Sequence, residues 1–176
     1  MNAMLETITR YDADAFRWVL GRRNARQFAQ VCRWISHLGD GLPYALLGFG
    51  LFLWEPLHGK AFLLTGLLAF AIELPAYLLL KNTVRRNRPQ DAIGDFVAHI
   101  VPSDRFSFPS GHTAAAFVMA TLVGGFYPGF LAVAVTVAGM IGASRVFLGV
   151  HFPTDILAGV ALGHASALLA LAAGIH

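Results

Sequence analysis

Three short polar clusters interrupt a chain of 176 residues that is 56% hydrophobic and only 13% charged. They are Lys81-Asn-Thr-Val-Arg85-Arg86-Asn-Arg88-Pro89, then Phe108-Pro109-Ser110-Gly111-His112, then Ser144-Arg145 followed by His151 and Asp155. Lys81, Arg88 and Arg145 bring an excess of positive charge, and planar guanidinium donors grip a phosphate bidentately. Ser110-Gly111-His112 reads as a helix start, where Ser110 can cap and free backbone N–H groups suit an anion. Gly111 there lacks the side chain that would block close approach by a phosphate. His151 and Asp155 straddle Pro153, a residue suited to a first helical turn. The acid can reach back to fix the imidazole tautomer, leaving the other nitrogen its lone pair. Two histidines beside a cationic pocket can share phosphoryl transfer, one attacking phosphorus and the other protonating the leaving oxygen. Each cluster alone is weak: a capped helix with an incidental histidine and a His-xxx-Asp pair are both ordinary. Arg85 and Arg86 read as headgroup-snorkelling residues.

The elements that must hold these clusters are membrane spans. With its 18 glycines the apolar share nears two-thirds, against about 45–50% in soluble domains. The composition excludes a disordered chain, a coiled coil and most soluble folds. A lone cysteine, Cys32, excludes a disulfide framework or a cysteine-based zinc site. Residues 61–80 carry one charge, Glu73; 113–127 and 129–143 carry none; 152–175 carry Asp155 near the start. Gly41–Trp54 is a weaker span of about 21 Å, which crosses only if tilted and is otherwise re-entrant. The fold class is therefore all-α: an integral-membrane bundle of about five transmembrane helices over 41–176. Residues 1–40 form an N-terminal amphipathic interfacial arm. In the arm, Phe16, Trp18, Val19 and Leu20 oppose Arg17, Arg22, Arg23 and Arg26, while Phe28, Val31, Trp34 and Ile35 recur at helical spacing. A cap packed on the bundle is the alternative. Gly159 with Gly163, and Ala138 with Gly142, have the small-xxx-small spacing that lets helices approach closely. Alternate crossing brings all three polar clusters to one membrane face, whether or not Gly41–Trp54 spans.

Lys81-x6-Arg88-Pro89, Pro109-Ser110-Gly111-His112 and Ser144-Arg145-x5-His151-x3-Asp155 resemble the three-part signature of the type-2 phosphatidic acid phosphatase superfamily. All three parts match in order and in spacing. The resemblance covers about residues 41–176, although the family usually has six spans and the arm stands where a first one would be. It implies a metal-independent, cofactor-free membrane enzyme that hydrolyses a phosphomonoester or pyrophosphate on a lipid. It implies His151 as a nucleophile held by Asp155, a phosphohistidine intermediate, and His112 as general acid. Lys81, Arg88, Ser110, Gly111 and Arg145 would bind the phosphoryl oxygens. Partners are then the lipid and the bilayer, with no nucleic acid. A vanadate-dependent haloperoxidase shares the signature, but those are larger soluble proteins. A non-catalytic lipid-phosphate-binding protein is opposed by the intact set of nucleophile, acid and cations.

Three matters stay open in the sequence. The lipid could be phosphatidylglycerophosphate, phosphatidic acid or undecaprenyl pyrophosphate, read by residues 90–108 with Phe96, His99, Asp104, Arg105 and Phe106. Glu73 is either a polar group in the lipid channel or the partner of an arginine, or else a packed carboxyl with no part in turnover. Twelve Lys and Arg lie on the site's face if all five spans cross, against Lys60 alone opposite. The positive-inside rule then points that face to the cytoplasm. Similar bacterial proteins work on the periplasmic side of the inner membrane, and that side is the expectation adopted.

Overall fold

The apolar runs fold as helices whose ends fall where the sequence changes character. In a computed structural model of the chain, the structure describes residues 3–20, 25–94, 96–102 and 104–174. All their side chains are described except those of 3–6, 20 and 25–27. The arm forms α1 (Ala3–Leu20) and α2 (Ala25–His37), followed by α3 (Gly41–Trp54) and α4 (Gly59–Val84). A single turn, α5 (Pro89–Ala92), lies in the long connection, and α6 (Gly111–Phe126), α7 (Leu131–Phe147) and α8 (Pro153–Ala172) complete the order. No strand occurs among the described residues. Gly59–Ala92, Pro128–Phe147 and Pro153–Ala172 are long and apolar enough to cross a bilayer, and Gly41–Trp54 and Gly111–Phe126 are shorter apolar helices. The protein is an integral-membrane helical bundle. The short α3 reaches from one end of it to the other. Asp40 at its start touches His112, and Glu55 just past its end accepts a hydrogen bond from Tyr127 at the far end.

The packing is that of a membrane protein, with small residues inside and leucines outside. A Cβ on Gly159 would lie 2.7 Å from the Ser110 carbonyl oxygen, and one on Gly163 would lie 2.1 Å from that of Ala114. Only glycine lets α8 come this close to α6. Lipid gives apolar surface no drive to associate, so such backbone proximity is what holds the helices. Phe62 and Ala69 of α4, Val118 and Leu122 of α6, and Ala167 and Ala170 of α8 fill the centre. Leu46 and Leu53 of α3, Leu74 and Leu78 of α4, and Val133 and Val137 of α7 point outward.

The arm docks at one end of this bundle. Phe16 of α1 is buried against Ile93, Val146 and Phe152, with its ring edge-on to Phe96 at 4.9 Å. Ala29 and Cys32 of α2 pack on Leu148 and Val150. Trp18, Val31 and Trp34 remain exposed. The arm thus packs one side on the bundle, as the capping alternative expects, and leaves these aromatic residues on its outward side. Arg22, Arg23 and the side chains of Leu20 and Arg26, which the sequence placed in that pattern, lie outside what is described, as does Asp95 of the long connection.

Candidate active site

Helix length sets the level of the first cluster. Lys81 stands 22 residues beyond Gly59, about 33 Å along α4, which carries it to the edge of a hydrocarbon core roughly 30 Å thick. Arg85 then adopts the left-handed conformation, φ 50°, and ends the helix. That turn sends the chain back over the bundle and aims Arg86 and Arg88 inward. Arg88 donates from Nη1 to the Val150 carbonyl at 2.6 Å, from Nε to the Asp104 carbonyl at 3.0 Å and from Nη2 to Asp104 Oδ1 at 2.7 Å. Lys81 Nζ donates to Asp104 Oδ2 at 2.7 Å and to the Tyr77 hydroxyl at 2.5 Å. Burial acts to raise the Asp104 pKa, but the bonds and charges of Lys81 and Arg88 prevail and hold the carboxyl below its usual range.

The second and third clusters are tied by backbone. The Ser110 amide donates to the Asp155 carbonyl at 3.0 Å, an approach that Gly159 on α8 makes room for. Ser110 is completely buried. Its hydroxyl accepts from Thr113 at 2.9 Å and does not cap α6. Gly111 has a second reason to be glycine, since a Cβ there would sit 3.0 Å from the Tyr77 ring. Arg145 is 5% exposed and donates from Nη1 to the Ser36 hydroxyl at 2.6 Å. Its Nε has no partner among the described residues. Arg145 lines a cavity with Arg33, Ser36, His37, Asp40 and His112, closed by the apolar Ile100 and Leu148. A buried guanidinium with donors to spare is suited to the oxygens of an anion.

His151 is 2% exposed, and its Nδ1 donates to the Ser107 carbonyl at 2.7 Å. The sequence expected Asp155 to hold this nitrogen, but Asp155 Oδ2 stands 3.7 Å away. Its oxygens are engaged elsewhere. Oδ2 accepts the Phe152 amide at 2.8 Å, and Oδ1 accepts Arg86 Nη1 at 2.8 Å. The carbonyl fixes the tautomer and leaves Nε2 with the lone pair; Asp155 adds charge from behind. Burial pushes His151 down to about 4, with Asp155 opposing, so the ring is neutral at physiological pH.

Arg86 corrects the sequence reading. It is 1% exposed, not a snorkelling residue. Besides Asp155 it binds Asp12 Oδ2 of α1 at 2.7 Å and the Thr154 hydroxyl at 2.7 Å. Its guanidinium lies 4.4 Å from the centre of the Phe152 ring. Arg85 is exposed, as expected.

This one-ended gathering of all three clusters is what the family signature requires, and residues 60–174 match the model of the PAP2 superfamily. The chain belongs to the PAP2 superfamily. It is 34% identical over 149 residues to phosphatidylglycerophosphatase B of Bacillus subtilis, covering 76% of this chain and 69% of that one. It is also 34% identical over 141 residues to decaprenylphosphoryl-5-phosphoribose phosphatase of Mycobacterium tuberculosis, covering 76% and 73%. The crystal structure of Aquifex aeolicus LpxE superposes with a TM-score of 0.79 at 27% identity over 90% of this chain and 93% of that one. That of the transmembrane PAP2-type phosphatidylglycerolphosphate phosphatase from Bacillus subtilis gives 0.74 at 30%, over 94% and 85%. The protein is a membrane lipid phosphatase.

In this PAP2 phosphatase the structure brings Lys81, Arg88, Ser110, Gly111, His112, Arg145, His151 and Asp155 to one end of the bundle. It adds residues the sequence did not single out. Asp12, Ser36 and Asp40 come from the arm and its junction with α3, and Ser107 and Tyr77 from beside the signature. Nothing in local spacing announces Asp12 or Asp40, whose partners lie 74 and 72 positions away. Asp104 had a signal, as one of few acids near a surplus of cations. Glu73 is 4% exposed, and no arginine pairs with it among the described residues. Its charge acts on Tyr77, one turn further along α4.

Proposed function

We propose that the protein hydrolyses the terminal phosphate of a lipid phosphomonoester or pyrophosphate, without a metal, through a phosphohistidine on His151. The observation that carries this is the neutral, buried His151 with Nδ1 tied to Ser107, set in a cluster where Arg145 keeps an uncommitted donor. Nε2 attacks phosphorus, the bond to the leaving oxygen breaks, and His112 gives that oxygen its proton. Water then attacks the phosphohistidine while His112 takes a proton back. Charge accumulates on three equatorial oxygens, so stabilisation by Lys81, Arg88, Arg145 and the amides at the start of α6 supplies most of the catalysis. Phosphatidylglycerophosphate is the first lipid to test, because a similar Bacillus protein is named for it; phosphatidic acid and undecaprenyl pyrophosphate complete the panel.

The test is phosphate release from these three lipids in detergent, with and without EDTA, by the parent and by His151→Ala. EDTA should leave turnover intact and His151→Ala should abolish it, while vanadate inhibits. Quenching in alkaline detergent with labelled lipid should trap an alkali-stable, acid-labile phosphoryl group on the parent alone. Turnover by His151→Ala, or strict dependence on a divalent metal, refutes the mechanism.

The site is proposed to open to the periplasm of a bacterial inner membrane. The charge count opposes this, but Lys81, Arg86 and Arg88 of the site's face are neutralised by carboxylates within the protein, and Arg145 is buried. Single cysteines at Val101, 93% exposed in the site's connection, and at His58 of the opposite loop, in a Cys32→Ser background, separate the two orientations. A membrane-impermeant maleimide added outside spheroplasts should label position 101 and spare 58; the reverse places the site in the cytoplasm.

A further inference from the structure

Asp40 occupies the residue before α3, the N-cap position, where aspartate ordinarily accepts a hydrogen bond from the helix's own amides. Here it makes no such bond. Its two oxygens are spent outward: Oδ2 meets His37 Nδ1 at 3.0 Å and Oδ1 meets His112 Nε2 at 3.0 Å. The turn that carries it is shaped to the His112 ring. A Cβ on Gly39 would fall 3.2 Å from His112 Cδ2 and 2.8 Å from Ile141 Cγ2, so glycine lets this turn press against the imidazole. One turn earlier, Ser36 holds Arg145. The segment from Ser36 to Asp40 therefore grips two members of the signature from outside it.

We propose that Asp40 is the positioning residue of the proton-donating histidine: its carboxylate holds Nε2 of His112 and leaves Nδ1 as the nitrogen for proton transfer. The inference rests on the assignment of His112 as the general acid. A carboxylate against an imidazole fixes the ring's orientation and tautomer and favours the protonated form that the first step consumes. Asp40 can do this at working pH. Burial acts to raise its pKa, but His37 and His112 outweigh it and keep the carboxyl below its usual range. Burial, and after it the charge of Arg145 on α7, push the ring down to about 4, and Asp40 and then Asp104 on the connection oppose them; neither Arg145 nor Asp104 makes a hydrogen bond to it among the described residues. His112 Nδ1 likewise takes no protein partner there.

The test separates substrates by their need for a proton. Asp40→Asn suits a helix cap equally well and keeps the side chain's shape while removing its charge. Dioctanoyl phosphatidic acid expels a diacylglycerol alkoxide and needs the acid; p-nitrophenyl phosphate expels a stable phenolate and needs it far less. General acid catalysis contributes about 10²–10⁴-fold, and losing only its positioning should cost roughly 10–100-fold in kcat/KM on phosphatidic acid. On p-nitrophenyl phosphate kcat/KM, which reports the step that expels the leaving group and not the later hydrolysis of the phosphohistidine, should change less than about threefold. Asp40→Glu, which returns a carboxylate, should recover part of the loss. An equal fall on both substrates, as misfolding would give, or a phosphatidic acid rate at or above that of the parent, overturns the proposal. His112→Ala is measured beside it. If it shows the leaving-group dependence and Asp40→Asn does not, the positioning role fails alone; if it shows none, the general-acid assignment fails and this inference with it.

Discussion

Replacing Arg86 with alanine should damage the protein far more than the same change one residue earlier. The guanidinium joins Asp12, 4% exposed, to Asp155, 0% exposed. Its removal leaves two buried carboxylates without their shared cation, and breaking a buried pair from one side costs about 3–5 kcal/mol. Part of the solvation survives. Asp155 keeps the Phe152 amide, and Asp12 keeps the amide and hydroxyl of Thr154. The loss should therefore sit near the lower end, about 3 kcal/mol. At roughly 2–4 °C per kcal/mol for a chain of this size, the melting temperature should fall by about 6–12 °C. Tryptophan fluorescence during thermal unfolding in a fixed detergent reads this. Arg85→Ala, whose exposed guanidinium among the described residues bonds only the Asn82 carbonyl of its own turn, should stay within about 0.5 kcal/mol of the parent. Adding Asp12→Asn to Arg86→Ala removes one stranded charge and should recover part of the loss. An Arg86→Ala protein that melts within about 2 °C of the parent would refute the buried-bridge account, and so would a double variant no more stable than the single.

Three further outcomes follow from the geometry. Burial lowers His151 to about 4 from an ordinary 6.5, so kcat/KM for p-nitrophenyl phosphate should lose its acid limb near pH 4; a limb near 6.5 would mean an exposed ring. The sign for stability is the same, because between those two values the unfolded chain binds the proton and the folded one does not, so stability falls as pH drops through that window. Gly163→Ala places a Cβ against the Ala114 backbone and should destabilise by about 1–3 kcal/mol, read by the same thermal assay, whereas Gly139→Ala, with open space around it, should not. Glu73→Gln keeps the shape of the buried side chain; unchanged kinetics with phosphatidic acid would make Glu73 a packing residue, and lost turnover in folded protein would make it part of the lipid's path.

The signature residues were legible because each cluster is short and local, and because alternate crossing alone sends all three to one face. What escaped was long-range or conformational. Arg86 sits among arginines at a span end, the usual setting of a snorkelling residue, and the turn that buries it depends on a left-handed Arg85 where glycine or asparagine would have given notice. The His151–Asp155 spacing was read correctly as a histidine before a helical first turn. The same turn needs an acceptor for its own Phe152 amide, and that claims the oxygen expected on the imidazole. The arm was read for its apolar periodicity, which set Phe16 and Trp18 on one face; the structure buries Phe16 and leaves Trp18 and Trp34 outward. Its polar residues Asp12, Ser36 and Asp40 meet partners 74, 109 and 72 positions away, and no pattern within a helix encodes such distances.

The bridge from Asp12 through Arg86 to Asp155 also carries information about time. Its members are separated by up to 143 positions and emerge from a ribosome in the order arm, connection, α8. Until α8 is made and inserted, Arg86 has only half of its counter-charge, and the signature histidine beside Asp155 does not yet exist. The enzyme cannot work piecemeal. Its chemistry switches on at the step that inserts α8 against α6, when the glycine seam closes and the charges carried to the boundary meet at once.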